Sequence, residues 1–176
     1  MSQVAYAVEC PSEGSIFPDI ILPVPQQASE KDYLGITYNQ PFEISHIKAQ
    51  VVIIEIFSMY CPFCQREATI INKLYELIQN KPDLKDKIKI IGIGAGNTQF
   101  EVDFFKNKYN IPFPLLPDES FSVHKVVGEV RTPYFFVFKI EQDGSKKTIY
   151  SRAGSIQDPQ LFLDLIVKKS ELGQEK

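Results

Sequence analysis

Cys61 and Cys64 stand two residues apart in the stretch FSMYCPFCQREATIINKLYELI, residues 57–78. A cysteine pair at that spacing can hold a soft metal ion, close a static loop, or pass electrons by thiol–disulfide exchange. The flanking residues narrow the choice. The run VVIIEIFS, residues 51–58, is apolar and β-branched, as a central strand covered on both faces would be. From Cys61 to about Gln79, apolar residues recur at helical spacing (Ile70, Ile71, Leu74, Leu77, Ile78), and Pro62 suits a first helical turn, where its missing N–H costs nothing. A cysteine at a helix start meets free N–H groups and the positive end of the helix dipole, which favour its thiolate. Cys61 is therefore the expected nucleophile. Cys64, one turn further in, is the expected resolving thiol, which attacks the mixed disulfide that Cys61 forms with a partner.

Three further side chains lie near this pair in sequence. Glu55 interrupts the apolar strand six residues before Cys61, and a carboxyl desolvated there should have a raised pKa suited to moving a proton near neutral pH. The alternative is that it sits at the sheet end and reaches water. Tyr60 and Phe63 flank the first cysteine as candidate substrate-binding aromatics, whereas Phe57 reads as core. A closed zinc site needs four ligands, and beyond the pair only Cys10, His46 and His124 remain, without ligand-like clustering. No metal is expected. Cys10 reads as a spare thiol in a flexible arm.

The elements that must position these residues follow from pattern. KIKIIGIGA is a second buried strand, and NTQFEVDFFKNKY a helix opened by the capping-box form Thr98-x-x-Glu101. FPLLPD reads as a short strand and SFSVHKVVG as a short helix. YFFVFKI and KKTIYSRAG form a hairpin turned at Asp143-Gly144. DPQLFLDLIVKK closes the order as a helix with Asp158 as N-cap and Pro159 at its first position. YLGITYN and QPFEI read as short strands or a hairpin edge. Such alternation predicts an α/β sheet with helices on both faces.

The chain of 176 residues is 44% hydrophobic, enough for one domain with a real core. The expected division is an irregular N-terminal arm over 1–32, a single domain over 33–172, and a tail over 173–176. Nineteen basic and 22 acidic residues are well mixed and leave a net charge of -3, so no phosphate-binding footprint is present and nucleic acid is not an expected partner. The longest apolar run is far short of a membrane span. Ala5-Tyr6-Ala7 has the small-x-small form of a signal-peptidase site without the preceding charged and apolar regions, and reads either as the remnant of an export signal or as an ordinary disordered start.

VVIIEIF, CPFC and, about seventy residues later, RTPYFFVF together resemble the thioredoxin superfamily, and more narrowly the TlpA/ResA-like (redoxin) thiol-disulfide oxidoreductases of bacterial cell envelopes. The resemblance covers residues 40–172, and the upstream IFPDIILP is similar to that family's entry into the fold. It implies a thioredoxin-like fold: a central mixed sheet flanked by helices, with an N-terminal extension. FFKNKYNIPFPLLPDESFSVHKVVG resembles the strand and helix inserted between the second core strand and the cis-proline loop. Pro133 matches the family's cis-proline, which implies that the Thr132 backbone pairs with a substrate strand beside Cys61. Glu55 stands where thioredoxin has a buried aspartate that handles the proton of the resolving thiol. Other members place an acid on the loop after the next strand, and GAGNT here has none. Tyr60 occupies a position where the family commonly has tryptophan, a residue this chain lacks.

The resemblance implies disulfide-bearing protein substrates, a membrane thiol-disulfide electron donor, a periplasmic or otherwise extracytoplasmic location, and no bound cofactor. Strong oxidants of the DsbA type carry a histidine between the cysteines. Phe63 supplies no charge, so the expected potential lies between roughly -270 and roughly -120 mV. Two other readings stay open. Ser58 fits the Ser/Thr position of a peroxiredoxin motif, although Ile54 stands where that motif has proline; and the domain could instead be non-catalytic, either an adaptor with a static Cys61–Cys64 bond or a metal-binding module.

Overall fold

The computed structural model describes residues 8–172. In chain order they form β1 (Ile21–Leu22), α1 (Ala28–Leu34), β2 (Phe42–Glu43), a 3-10 turn (Ile44–His46), β3 (Val51–Phe57), α2 (Pro62–Gln79), β4 (Ile88–Ala95), α3 (Gln99–Tyr109), β5 (Leu115–Asp118), α4 (Ser122–Val126), β6 (Tyr134–Ile140), β7 (Lys146–Ala153) and α5 (Pro159–Ser170). The main sheet has the order β5-β4-β3-β6-β7. Strands β3, β4 and β5 run parallel, and β6 lies antiparallel to both of its neighbours, β3 and β7, in a central mixed sheet.

Both faces of β3 and β4 are covered, which is why their sequences lack apolar–polar alternation. Val51, Ile53 and Phe57 pack beneath α2, α3 and α5, against Ile71, Leu74, Val102, Phe105 and Leu163. Val52, Ile54 and Ile56 face the opposite layer, built from the N-terminal segment, Leu34 of α1 and Val123 of α4. Thr98 and Glu101 close the expected capping box of α3, and Asp158 caps α5 by accepting from the Gln160 and Leu161 amides.

The N-terminal third departs from the expected order. The arm expected to be irregular through residue 32 holds β1 and most of α1, and YLGITYN is not a strand: Tyr33 and Leu34 end α1, with Gly35 at φ 65° as its left-handed cap. QPFEI keeps only the two residues of β2 before the 3-10 turn. Tertiary contacts decide this. Pairing with β5 begins at Gly92, so the Ile90 amide has no strand neighbour on that edge and donates to Tyr33 Oη at 2.8 Å. Earlier in the arm, the Gly14 amide donates to Thr148 O and the Thr148 amide to Ser15 O, both at 2.8 Å, covering part of the β7 edge. Phe17 is buried, stacks on Phe138 at 4.9 Å and meets Phe136 edge-on at 5.5 Å.

The arm is thus part of the core. Phe17→Ala is expected to lower the unfolding free energy in urea by about 3 kcal/mol, whereas a peripheral arm would lose next to nothing. Ala5-Tyr6-Ala7 and the tail over 173–176 lie outside the described residues. Among the described residues, no helix is long and apolar enough to cross a membrane.

Candidate active site

Strand β3 ends at Phe57, beside the carboxyl end of its parallel neighbour β4, and residues 58–60 turn the chain into α2. Cys61 is the N-cap of that helix, with extended backbone (φ -85°, ψ 114°), and Pro62 occupies the first turn. The loop is held from both sides. Asn97 Oδ1, fully buried on the loop after β4, accepts from the Met59 amide at 2.9 Å, and Gln65 Nε2 donates to Met59 O at 2.9 Å. The Cys61 amide donates to Ser58 O at 3.0 Å, and Cys61 O accepts the first intrahelical bond, from Gln65.

The two sulfurs differ in environment although one turn of helix joins them. Cys61 is partly exposed and Cys64 buried, and both are free thiols. Partial burial opposes the Cys61 thiolate, but the Thr132 side chain, the Cys64 amide and thiol and the Phe63 amide favour it more, so the Cys61 pKa falls below the ordinary thiol value. Burial and then the charge of Glu55 push the Cys64 thiol up, with the Ser58 backbone opposing. The helix start therefore favours an anion at the reachable sulfur and not at the covered one.

Residues remote in sequence meet this pair. The Thr132–Pro133 bond is cis, and Cys61 Sγ donates to Thr132 O at 3.3 Å. Tyr60 and Phe63 are 66% and 64% exposed, and the Arg66 guanidinium lies 4.5 Å from the Phe63 ring centroid. Glu55 sits in mid-strand, paired in register with Gly92 of β4 and Phe135 of β6, and is 4% exposed rather than open to water. Its carboxyl has no hydrogen-bond partner among the described residues. Burial, then the charges of Glu67 and Cys61, raise its pKa well above the ordinary carboxylate value.

Glu67 escapes the sequence reading. It is 1% exposed on α2 and accepts from the Ile156 amide at 2.8 Å and from Ser155 Oγ. Burial raises its pKa, and these two hydrogen bonds moderate the rise. Its position carries a usable signal: three residues after Cys64 and four before Ile71, it falls within the buried stripe of the helix. The other candidates lie apart from the pair. His124 Nε2 contacts Val130 O at 2.8 Å, His46 packs on Tyr38, and Cys10 Sγ donates to Tyr134 Oη at 3.2 Å. Among the described residues no group of three or more His, Cys, Asp or Glu side chains could hold a metal ion.

A family model described as the AhpC/TSA family matches residues 14–158. Among curated relatives, thiol-disulfide oxidoreductase ResA of Bacillus thuringiensis subsp. konkukian is 28% identical over 103 residues, 58% of this chain and 55% of that protein. The chain thus spans little more than half the length of that relative. The ResA of Geobacillus thermodenitrificans is 23% identical over 153 residues, covering 87% of this chain and 77% of its own. Among solved structures, the thioredoxin domain of a thiol-disulfide oxidoreductase from Bacteroides vulgatus superposes with a TM-score of 0.63 at 12% identity, covering 89% of this chain and 99% of that one. That likeness establishes the thioredoxin-like fold. With its family model spanning the strand, the cysteine pair and the cis-proline alike, the chain belongs to the AhpC/TSA family.

Proposed function

We propose that the protein is a thiol-disulfide oxidoreductase that reduces disulfides in partner proteins of the cell envelope through the CPFC dithiol. One observation carries the reading: the partly exposed Cys61 caps the start of α2 beside the cis Thr132–Pro133 bond, with Cys64 buried one turn further in. The Cys61 thiolate attacks one sulfur of the partner's disulfide, forming a mixed disulfide and releasing the other sulfur as a thiolate. Cys64 then loses its proton and attacks Cys61 Sγ, which closes the Cys61–Cys64 bond and frees the partner's second sulfur. Two electrons pass to the partner, and the dithiol is oxidised.

Glu55, lying beneath α2 and coupled electrostatically to Cys64, is the group that accepts the Cys64 proton, and Glu67 raises its basicity through like charge. Thr132 and Pro133 present backbone to the partner strand, and Tyr60 and Phe63 supply apolar contact. The dithiol is itself the electron carrier, so no bound cofactor is required. A membrane thiol-disulfide donor would return it to the reduced state. The location that suits such chemistry is extracytoplasmic, where partner disulfides form and persist.

The reduction potential of the Cys61–Cys64 couple tests the proposal. It is measured in glutathione or dithiothreitol buffers by alkylation mass shift, since the chain has no tryptophan to report the change. A reversible two-electron couple between roughly -270 and roughly -120 mV is expected. A value at or above the upper figure would make the protein an oxidant, and the lack of any reversible couple would end the exchange reading.

A further inference from the structure

Tyr60 is the most exposed aromatic ring at the site, yet it is tied at its far end. Its hydroxyl donates to Glu101 Oε1 on α3, forty-one residues away. The other oxygen of that carboxylate is used differently: Glu101 Oε2 accepts from the Thr98 amide at 2.7 Å, while the Glu101 amide donates to Thr98 Oγ1 at 3.3 Å, closing the cap of α3. One carboxylate therefore serves two elements. The residue before this cap is Asn97, whose side chain holds the Met59 amide next to Tyr60. The start of α3 thus grips the loop that leads to Cys61 at two successive residues, once by backbone and once by side chain.

We infer that Glu101 is a positioning residue for partner binding: it fixes the Tyr60 ring beside Cys61, so that an incoming disulfide-bearing polypeptide meets an apolar wall already oriented. This rests on the exchange reading proposed above. A ring two-thirds exposed and unanchored would sample several rotamers and lose that freedom on binding; a hydroxyl tied to a carboxylate has given it up beforehand. The anchor acts on association with a polypeptide and not on the sulfur chemistry, because Glu101 touches neither cysteine. The hydrogen bond from Tyr60 also leaves its mark on the phenol, whose pKa the contact raises.

A double-mutant cycle tests the inference, with the interchain disulfides of insulin as the protein probe and 5,5′-dithiobis(2-nitrobenzoate) as the small one. Glu101→Ala and Tyr60→Phe are each expected to raise KM for insulin about fivefold, with kcat changed less than twofold. The double variant should match either single one. Glu101→Gln, whose amide oxygen still accepts, should restore KM. Loss of the α3 cap is read separately: Glu101→Ala lowers Tm in both backgrounds, so a merely structural effect would add to that of Tyr60→Phe instead of vanishing beside it. Additive KM effects, or unchanged KM in the single variants, would overturn the inference.

If the wild-type protein reduces neither probe, the exchange reading fails. The contact is then still tested by titrating ring-labelled tyrosine by NMR, using Tyr60→Phe to assign the signal. Glu101→Ala should lower the Tyr60 phenol midpoint, and an unmoved midpoint would remove the anchor itself.

Discussion

Cys64→Ser protein, mixed with a disulfide-bearing partner such as insulin, should stop halfway: Cys61 remains covalently joined to one chain of the partner, and dithiothreitol releases the adduct. The expectation follows from the unequal sulfurs. The Cys61 thiol is partly exposed with a lowered pKa, while Cys64 is buried with a raised one; in the proposed mechanism Cys61 therefore attacks first and Cys64 acts only on the mixed disulfide. A serine hydroxyl at position 64 cannot displace the partner's sulfur, so the intermediate accumulates. Cys61→Ser should form no adduct and lose roughly 10³-fold or more of the turnover rate, as removal of a nucleophile does. Iodoacetamide gives an independent check: native protein should be alkylated at Cys61 with a midpoint below the ordinary thiol range, and at Cys64 only after unfolding. An adduct through Cys64 in the Cys61→Ser protein, or faster alkylation of Cys64, would reverse the assignment.

The difference between the two sulfurs was readable in the sequence because it depends on local features. A β-branched run, CPFC and a helical stripe put Cys61 at a helix start, and Pro62 marks where that helix begins. Strands β3 and β4, the α3 capping box and the α5 cap are legible for the same reason: each is specified by neighbours within a few residues. The arm is not. A helix of seven residues such as α1 has little stability of its own, and it exists because Leu34 is buried and Tyr33 completes the bonding of Ile90 from fifty-seven residues away. Phe17 likewise looks like a loop aromatic until the β6 strand supplies Phe136 and Phe138.

Glu67 shows the same limit within the site. A glutamate in a helix is ordinarily taken for a solvent-facing residue, and only the loop before α5, with Ser155 and Ile156, gives it partners inside. Its helical phase was available in the sequence; its acceptor role was not. Thr132 was placed beside Cys61 by resemblance, and the contact between them spans seventy-one residues that no local rule connects.

Glu55→Gln should make the protein more stable and less active, and the opposition of the two effects separates function from structure. Glu55 holds its proton more tightly folded than unfolded, since burial first and the charges of Glu67 and Cys61 next raise its pKa above the ordinary 4.5. Its favourable contribution to stability is therefore fully present below pH 4.5 and is lost as pH rises through that value towards its elevated midpoint. Glutamine never ionises. The variant's advantage in urea unfolding should be smallest at pH 4 and grow with pH to about 1–3 kcal/mol, the scale on which an unpaired buried polar group is penalised. A residual slope of the same sign remains from Glu67, whose pKa is also raised. Release of the mixed disulfide, followed in a single turnover at pH 7, should slow by about 10²-fold, the lower end of what a general base supplies, because Cys64 then has no neighbouring carboxylate to take its proton. An unchanged release rate in a stabilised variant would reduce Glu55 to a buried polar residue with no part in exchange. A slower release without any gain in stability at high pH would leave Glu55 as the base but would mean that its surroundings do not hold it protonated.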